Sequence, residues 1–279
     1  MAPSIDKTLQ SWASMLTSII PGYKRYQFVV SQLVKVDLFN QYKKSYIGLL
    51  WLFFEPVYTV IIWIFMHLSG IIEPGESAVP YAVFVLLSTA IWSFFLNSFK
   101  ATGNVLETNN RLITTARFPY HVLITSKCIS YVTTFIIFFG FILIFLFSTS
   151  VTPDWRHLIL PFTLIPLFLL GATMGLWNSL LKVVAIDFSK AFEYIVNLLK
   201  YSTPVIFTPK VESALLQTLS QNNPLSYLIG VPRDILLDTQ LYSVLTYIWI
   251  TIVVAVIFVL TVIYFQRKSK LIIERIIIS

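Results

Sequence analysis

Charge is scarce in this sequence. Asp, Glu, Lys and Arg make up 12% of its 279 residues, about half the share carried by a soluble domain. Cysteine is scarcer still: Cys128 is alone, which excludes a disulfide framework and a paired-cysteine metal site. The three histidines, His67, His121 and His157, lie too far apart to suggest a ligand set. The nine glycines never fall into G-x-x-x-x-G-K-[ST], so there is no phosphate-cradling loop and the chain is not expected to hydrolyse ATP. It also has no G-x-S-x-G elbow and no dense cluster of acids. That leaves a membrane-embedded glycosyl- or acyltransferase only as a minor alternative.

What fills the chain is apolar: 57% of its residues are hydrophobic, and aromatics make up 16% of the chain. The apolar runs are continuous and near the ~20 residues a helix needs to cross a bilayer. A barrel would show short alternating strands instead. The expected fold is an all-α polytopic membrane protein with six transmembrane helices, at about 51–70, 81–99, 128–147, 158–180, 191–207 and 243–265. The fifth is interrupted by Glu193, Asn197 and Lys200. Basic residues orient the spans. With both termini cytoplasmic, all 20 lysines and arginines lie inside except Arg156, Lys210 and Arg233 outside and Lys200 within a span. Without the fifth span the cationic tail would be forced outside, so the bias supports that span too.

Three segments flank or interrupt this six-span domain of residues 46–265. Residues 1–45 form a cytoplasmic interfacial segment. The chain start does not read as a cleaved signal peptide; Ile5, Leu9, Trp12 and Leu16 instead share one face of an amphipathic helix. In 24–44, Tyr26, Val29, Val30, Leu33 and Val34 share a broad face on which Asp37, Asn40 and Lys44 intrude, so the second half is expected to turn toward protein or water. The external connection 208–242 suggests two short helices separated by Asn223-Pro224, too short to cross and therefore re-entrant. Residues 266–279 form a cytoplasmic tail.

Ionisable residues inside a membrane are functional candidates by default. Glu55, Glu193 and Lys200, with Tyr58 and Asn197, are the candidates for lining a polar path. They are too few for a proton relay. Gly171-x-x-x-Gly175 points to close helix packing, within one subunit or between two. The stretch QYKKSYIGLLWLFFEP reads as a corner, where a surface helix becomes the first span. Lys43, Lys44 and Trp51 anchor it at the interface. Glu55 lies about one turn, roughly 6 Å, inside, and Pro56 is expected in the first turn, where its missing N–H costs little.

Tyr42-Lys43-Lys44-Ser45-Tyr46-Ile47-Gly48-Leu49-Leu50-Trp51 followed by Pro56 resembles the entry motif of type-2 ABC exporter permeases for polysaccharides. Gln41 replaces the usual arginine and Ile47 the usual leucine. Asn109 to Pro119 is similar to the family's loop between spans two and three, with Thr114 and Thr115 where lysines are frequent. Thr203-Pro204-Val205-Ile206-Phe207 and Asn223-Pro224, with Arg233 downstream, match two further motifs in order. The resemblance covers about residues 35–240.

It implies a homodimer in the bacterial cytoplasmic (inner) membrane, docked to two separate ATPase subunits. ATP and Mg would sit on those partners, with no cofactor on this chain. The implied substrate is a lipid-linked polysaccharide. O antigen is favoured; capsule, teichoic acid, or a drug or lipid are the alternatives. An ATPase-coupling loop is expected at 100–121. Val105, Leu106, Leu112 and Ile113 would form its apolar side, and Glu107, Asn109 and Arg111 would reach the partner. Residues 182–190, including Asp187, form a second contact. Spans one and five are expected to line the path at the dimer interface.

Overall fold

A computed structural model of the chain describes residues 26–38, 46–75, 79–109, 120–147, 155–239 and 242–278. The interfacial helix expected at 5–20, the anchors Lys43 and Lys44, and the loop residues Arg111, Leu112 and Ile113 lie outside them. The described residues are helical, without strands. Helix α1 covers 26–38. It is followed by α2 (Trp51–Leu68), α3 (Tyr81–Gly103), the single turn α4 (Val105–Thr108) and α5 (Tyr120–Phe147). Then come α6 (Leu160–Thr163), α7 (Ile165–Val184), α8 (Ile186–Ser202), α9 (Ala214–Asn222), α10 (Pro224–Leu237) and α11 (Val244–Ile278).

Three helical stretches among the described residues are long and apolar enough to cross a membrane: Tyr81–Gly103, Arg156–Val184 and Val244–Phe265. Val57–Leu68 is a shorter apolar stretch. Some helices also differ from the expected apolar runs in length. Helix α5 begins at Tyr120, ahead of the run that starts near 128, and α11 continues through the charged tail to Ile278. Lys127 and Ser126 do not stop α5, because Ser126 Oγ donates to Leu123 O (2.8 Å) and Lys127 Nζ pairs with Asp37 of α1 (2.7 Å). That pair docks α1 on the bundle, with Val30 buried and Leu33 against an apolar cluster of Val105, Leu106, Leu123, Leu176 and Phe265.

The corner before α2 turns on one residue. Gly48 adopts φ +59°, a left-handed conformation that residues with a Cβ disfavour. A short 3₁₀ turn, Gly48–Leu50, then feeds α2 at Trp51. Pro56 therefore falls in the second turn of α2 rather than the first. There it takes one N–H out of the helix ladder and leaves the Leu52 carbonyl without that donor.

Helix α3 is the axis of the bundle. Of its apolar window, 72% is buried, against 22% for Val244–Phe265. Three of its hydroxyls turn back onto the helix: Ser88 Oγ donates to Phe84 O, Ser98 Oγ to Phe95 O and Thr102 Oγ1 to Ser98 O, each at 2.8 Å. Small, internally satisfied side chains let a second backbone come close. That backbone is α7. A Cβ at Gly171 would overlap Ser98 Oγ and Phe95 O, and one at Gly175 would overlap Thr102 Oγ1 and Phe99 O. The glycine pair thus serves packing inside the subunit. By contrast α11 turns Val244, Leu245, Trp249, Val253 and Val256 outward, an apolar surface far larger than water tolerates on a monomer.

Gly175→Leu should therefore destabilise the fold by about 3 kcal/mol or more, because the α3 backbone cannot yield as a side chain would. Gly140→Ala, with nothing within 4 Å of the added Cβ, should be neutral or slightly stabilising. Thermal unfolding of the two purified variants in detergent compares them directly.

Candidate functional site

Two polar assemblies stand out from the apolar bundle, one at each end of α8. The first is built at the end where α3 gives way to α4. Asn104 is the joint between those helices, and the turn Val105–Thr108 buries Val105 and Leu106 while leaving Glu107 exposed. Asn109 is buried, its amide donating to Val105 O (2.9 Å) and Thr108 Oγ1 (3.2 Å), so it closes the turn. Across from it, the last turns of α7 carry Asn178 and Lys182, four residues apart on one helix face.

Lys182 gathers three elements. Its Nζ donates to Asn104 Oδ1 (2.6 Å) and lies 3.2 Å from Glu193 Oε1 and 3.6 Å from Glu107 Oε2. Asn178 completes the link to α8: its Nδ2 donates to Glu193 Oε1 (2.9 Å), and its Oδ1 accepts from the buried Ser189 hydroxyl (2.9 Å). Helix α8 begins because Ala185 is extended (φ −158°, ψ 97°). Asp187 sits in its first turn, where a carboxylate favours the helix N-terminus, and is exposed.

The second assembly joins two of the sequence motifs. Helix α8 stops at Ser202 because Pro204 forces Thr203 into extended backbone (φ −110°, ψ 139°). Asn223 caps α10, accepting from Leu225 N (3.0 Å), while Pro224 fills the first helical position. The same Asn223 amide donates to Thr203 Oγ1 (2.9 Å). Arg233, further along α10, donates from Nη1 to Pro204 O (2.6 Å) and Ser88 Oγ (3.0 Å), with its guanidinium 4.2 Å from the Phe84 ring centre. Thus Thr203-Pro204, Asn223-Pro224 and Arg233, dispersed in sequence, form one knot against α3. The charge bias treats Arg233 as an external charge, yet it is wholly buried in protein, 0% exposed.

Between these ends runs the seam of α2 and α8. Lys200 Nζ lies 5.6 Å from the Trp63 ring centre, and Trp63 meets Tyr201 edge to face at 6.5 Å. Tyr58 on α2 and Tyr194, Asn197 and Tyr201 on α8 are exposed. Asn197 Nδ2 donates back to Glu193 O (2.7 Å). Of the predicted path residues, the structure brings Glu193 into the Lys182 assembly and Lys200 onto α2, while Tyr58 and Asn197 stay open. Glu55 lies in the first turns of α2, its side chain outside the description. Trp51 is half exposed, edge to face with Phe54 (6.3 Å). A separate cleft of about 770 Å³ beside α10 and α11, edged by the Arg156–Asp238 pair, contains none of the predicted path residues.

Asn178 was not among the expected functional residues, and Asn104 and Lys182, though inside the expected contact segments 100–121 and 182–190, had no role of their own there. The signal that marks them is Asn178 and Lys182 repeating at helical spacing where an apolar span ends; their partners are far off in sequence.

A multi-helix membrane protein with polar assemblies at both ends of one helix fits a transporter subunit. No family model matches the chain. A curated protein, the O-antigen export system permease protein RfbA of Myxococcus xanthus, is 26% identical over 186 residues, 66% of this chain and 69% of that protein. This likeness to an export permease agrees with the resemblance that the four sequence motifs carry.

Arg233→Ala should weaken the knot by about 3 kcal/mol or more, since two hydrogen bonds from a charged donor contribute about 1.5–3 kcal/mol each. Arg233→Lys should recover little, because an ammonium lacks the planar fork that stacks on Phe84 while reaching two acceptors. Unfolding midpoints measure both.

Proposed function

We propose that the chain is the membrane permease of an ATP-driven exporter that moves a lipid-linked polysaccharide, O antigen being the favoured cargo, across the bacterial cytoplasmic membrane. The observation that carries the reading is the seam of α2 and α8. It presents tyrosines, Asn197 and a lysine on helices that otherwise face hydrocarbon, a costly arrangement unless a polar path or a second copy covers it. Four motifs in order and the likeness to an O-antigen export permease support the same reading.

In this reading the chain crosses six times with both termini in the cytoplasm, and α9 and α10 re-enter from the outside. Two copies meet along α2 and α8 and enclose the path. The sequence carries no phosphate loop, so ATP and Mg bind on two partner ATPase subunits. The ATPase meets the turn around Glu107 and the exposed Asp187 at the start of α8. The sugar face of the cargo passes the tyrosines of the seam, which supply flat apolar surface and a hydroxyl at once. Energy enters only through the docked turn.

Cells lacking this chain should accumulate a lipid-linked glycan of defined length on the inner face of the membrane. Accumulation of a small drug or a bare lipid, with glycan export intact, would reject the cargo. Glu107→Lys should lower co-purification of the ATPase at least several-fold, and unchanged co-purification together with unchanged export would reject the docking turn.

A further inference from the structure

We propose that Lys182 is the positioning residue that carries the state of the docking turn to α8, with Glu107 and Glu193 as competing partners for its ammonium. The inference rests on the exporter reading above. An ammonium has three donors and no acceptor, and here Asn104, Glu193 and Glu107 supply the three oxygens, at 2.6, 3.2 and 3.6 Å. The two acids are not equivalent. Glu107 has the longer contact and a side chain 70% exposed, against 39% for Glu193 and 22% for Lys182.

Glu107 is therefore the acid that a partner can reach. A basic residue on the docked ATPase, set against Glu107, draws that carboxylate away from Lys182. The ammonium keeps Asn104 and concentrates on Glu193. Glu193 is also held by Asn178, which binds Ser189 one turn earlier in α8. The first turns of α8 are thereby clamped to α7 and to the α3–α4 joint when the partner is docked, and loosened when Glu107 returns to share the ammonium. The same helix carries Asn197, Lys200 and Tyr201 on the seam. The chemistry that fits the exposed acid is a cationic side chain on the docking face.

The test uses the full chain with its ATPase in lipid vesicles and reads glycan exported per ATP hydrolysed. Lys182→Gln should lower that ratio several-fold, and Lys182→Arg, which keeps the charge, should retain most of it. Glu193→Gln preserves an oxygen for Asn178 and should reproduce the fall, with the double variant no worse than either single because both remove one interaction. An unchanged ratio in Glu193→Gln, an additive double variant, or a Lys182→Arg fall equal to that of Lys182→Gln would overturn the proposal. Amide exchange over residues 186–193 in the chain without its ATPase gives an independent reading. Lys182→Gln should speed it several-fold, and unchanged exchange would break the link to α8. If the wild-type vesicles show no ATP-dependent export while exchange still responds, the exporter reading fails and the clamp stands.

Discussion

The close approach of α3 and α7 is the constraint on which the rest of the molecule depends. In a bilayer, burial of apolar surface gives little preference for one helix neighbour over another, so packing distance and polar satisfaction decide. Gly171 and Gly175 remove the side chains that would hold α7 off, and Ser98 and Thr102 fold their hydroxyls back on α3. With the two backbones in contact, the far end of α7 arrives beside the α3–α4 joint. That places Lys182 within reach of Asn104 and Glu107. A side chain at Gly175 would move the ammonium away from its oxygens as well as spoil the packing.

The knot at the other end of α8 solves a backbone problem. Breaking a helix at Thr203-Pro204 exposes carbonyls that water cannot reach, and such groups must find partners in the protein. Arg233 donates to Pro204 O, Asn223 to Ser202 O (3.4 Å), and Tyr81 to Ile206 O (2.9 Å). A guanidinium suits this place better than an ammonium because it is planar, weakly hydrated and able to lie on an aromatic ring. Helix α8 is thus gripped at both ends by polar contacts, while between them it packs one face, Phe192, Val196 and Leu199, on the core and leaves Tyr194, Asn197 and Leu198 exposed.

Much of this was legible in the sequence, for physical reasons that differ by element. Continuous apolar runs located the helices, since hydrocarbon admits little else. Asn223-Pro224 announced the turn between two short helices, where Asn223 proves to be the cap of the second, whereas the expected fifth span ran to 207, past Pro204, and the helix stops at Ser202. Gly171 and Gly175 announced contact, though not whether the partner lay in the same chain. The early start of α5 was hidden because hydropathy reads Lys127 as an end, whereas Asp37, 90 positions away, lets it continue. The Lys182 assembly was hidden for the same reason: Asn104, Glu107, Lys182 and Glu193 are ordinary polar residues until the glycine contact brings them together. Glu193 drew attention because it interrupts an apolar run, which does not reveal that its oxygen is shared by Asn178 and Lys182.

Movement of a lipid-linked glycan through the bilayer by this chain with an ATPase can be followed in sealed inner-membrane vesicles carrying both proteins, as exposure of the glycan to a membrane-impermeant glycosidase on the far side. The accessible fraction should rise only when ATP and this chain are both present. An accessible fraction that stays constant on adding ATP, or rises equally without the chain, would contradict it.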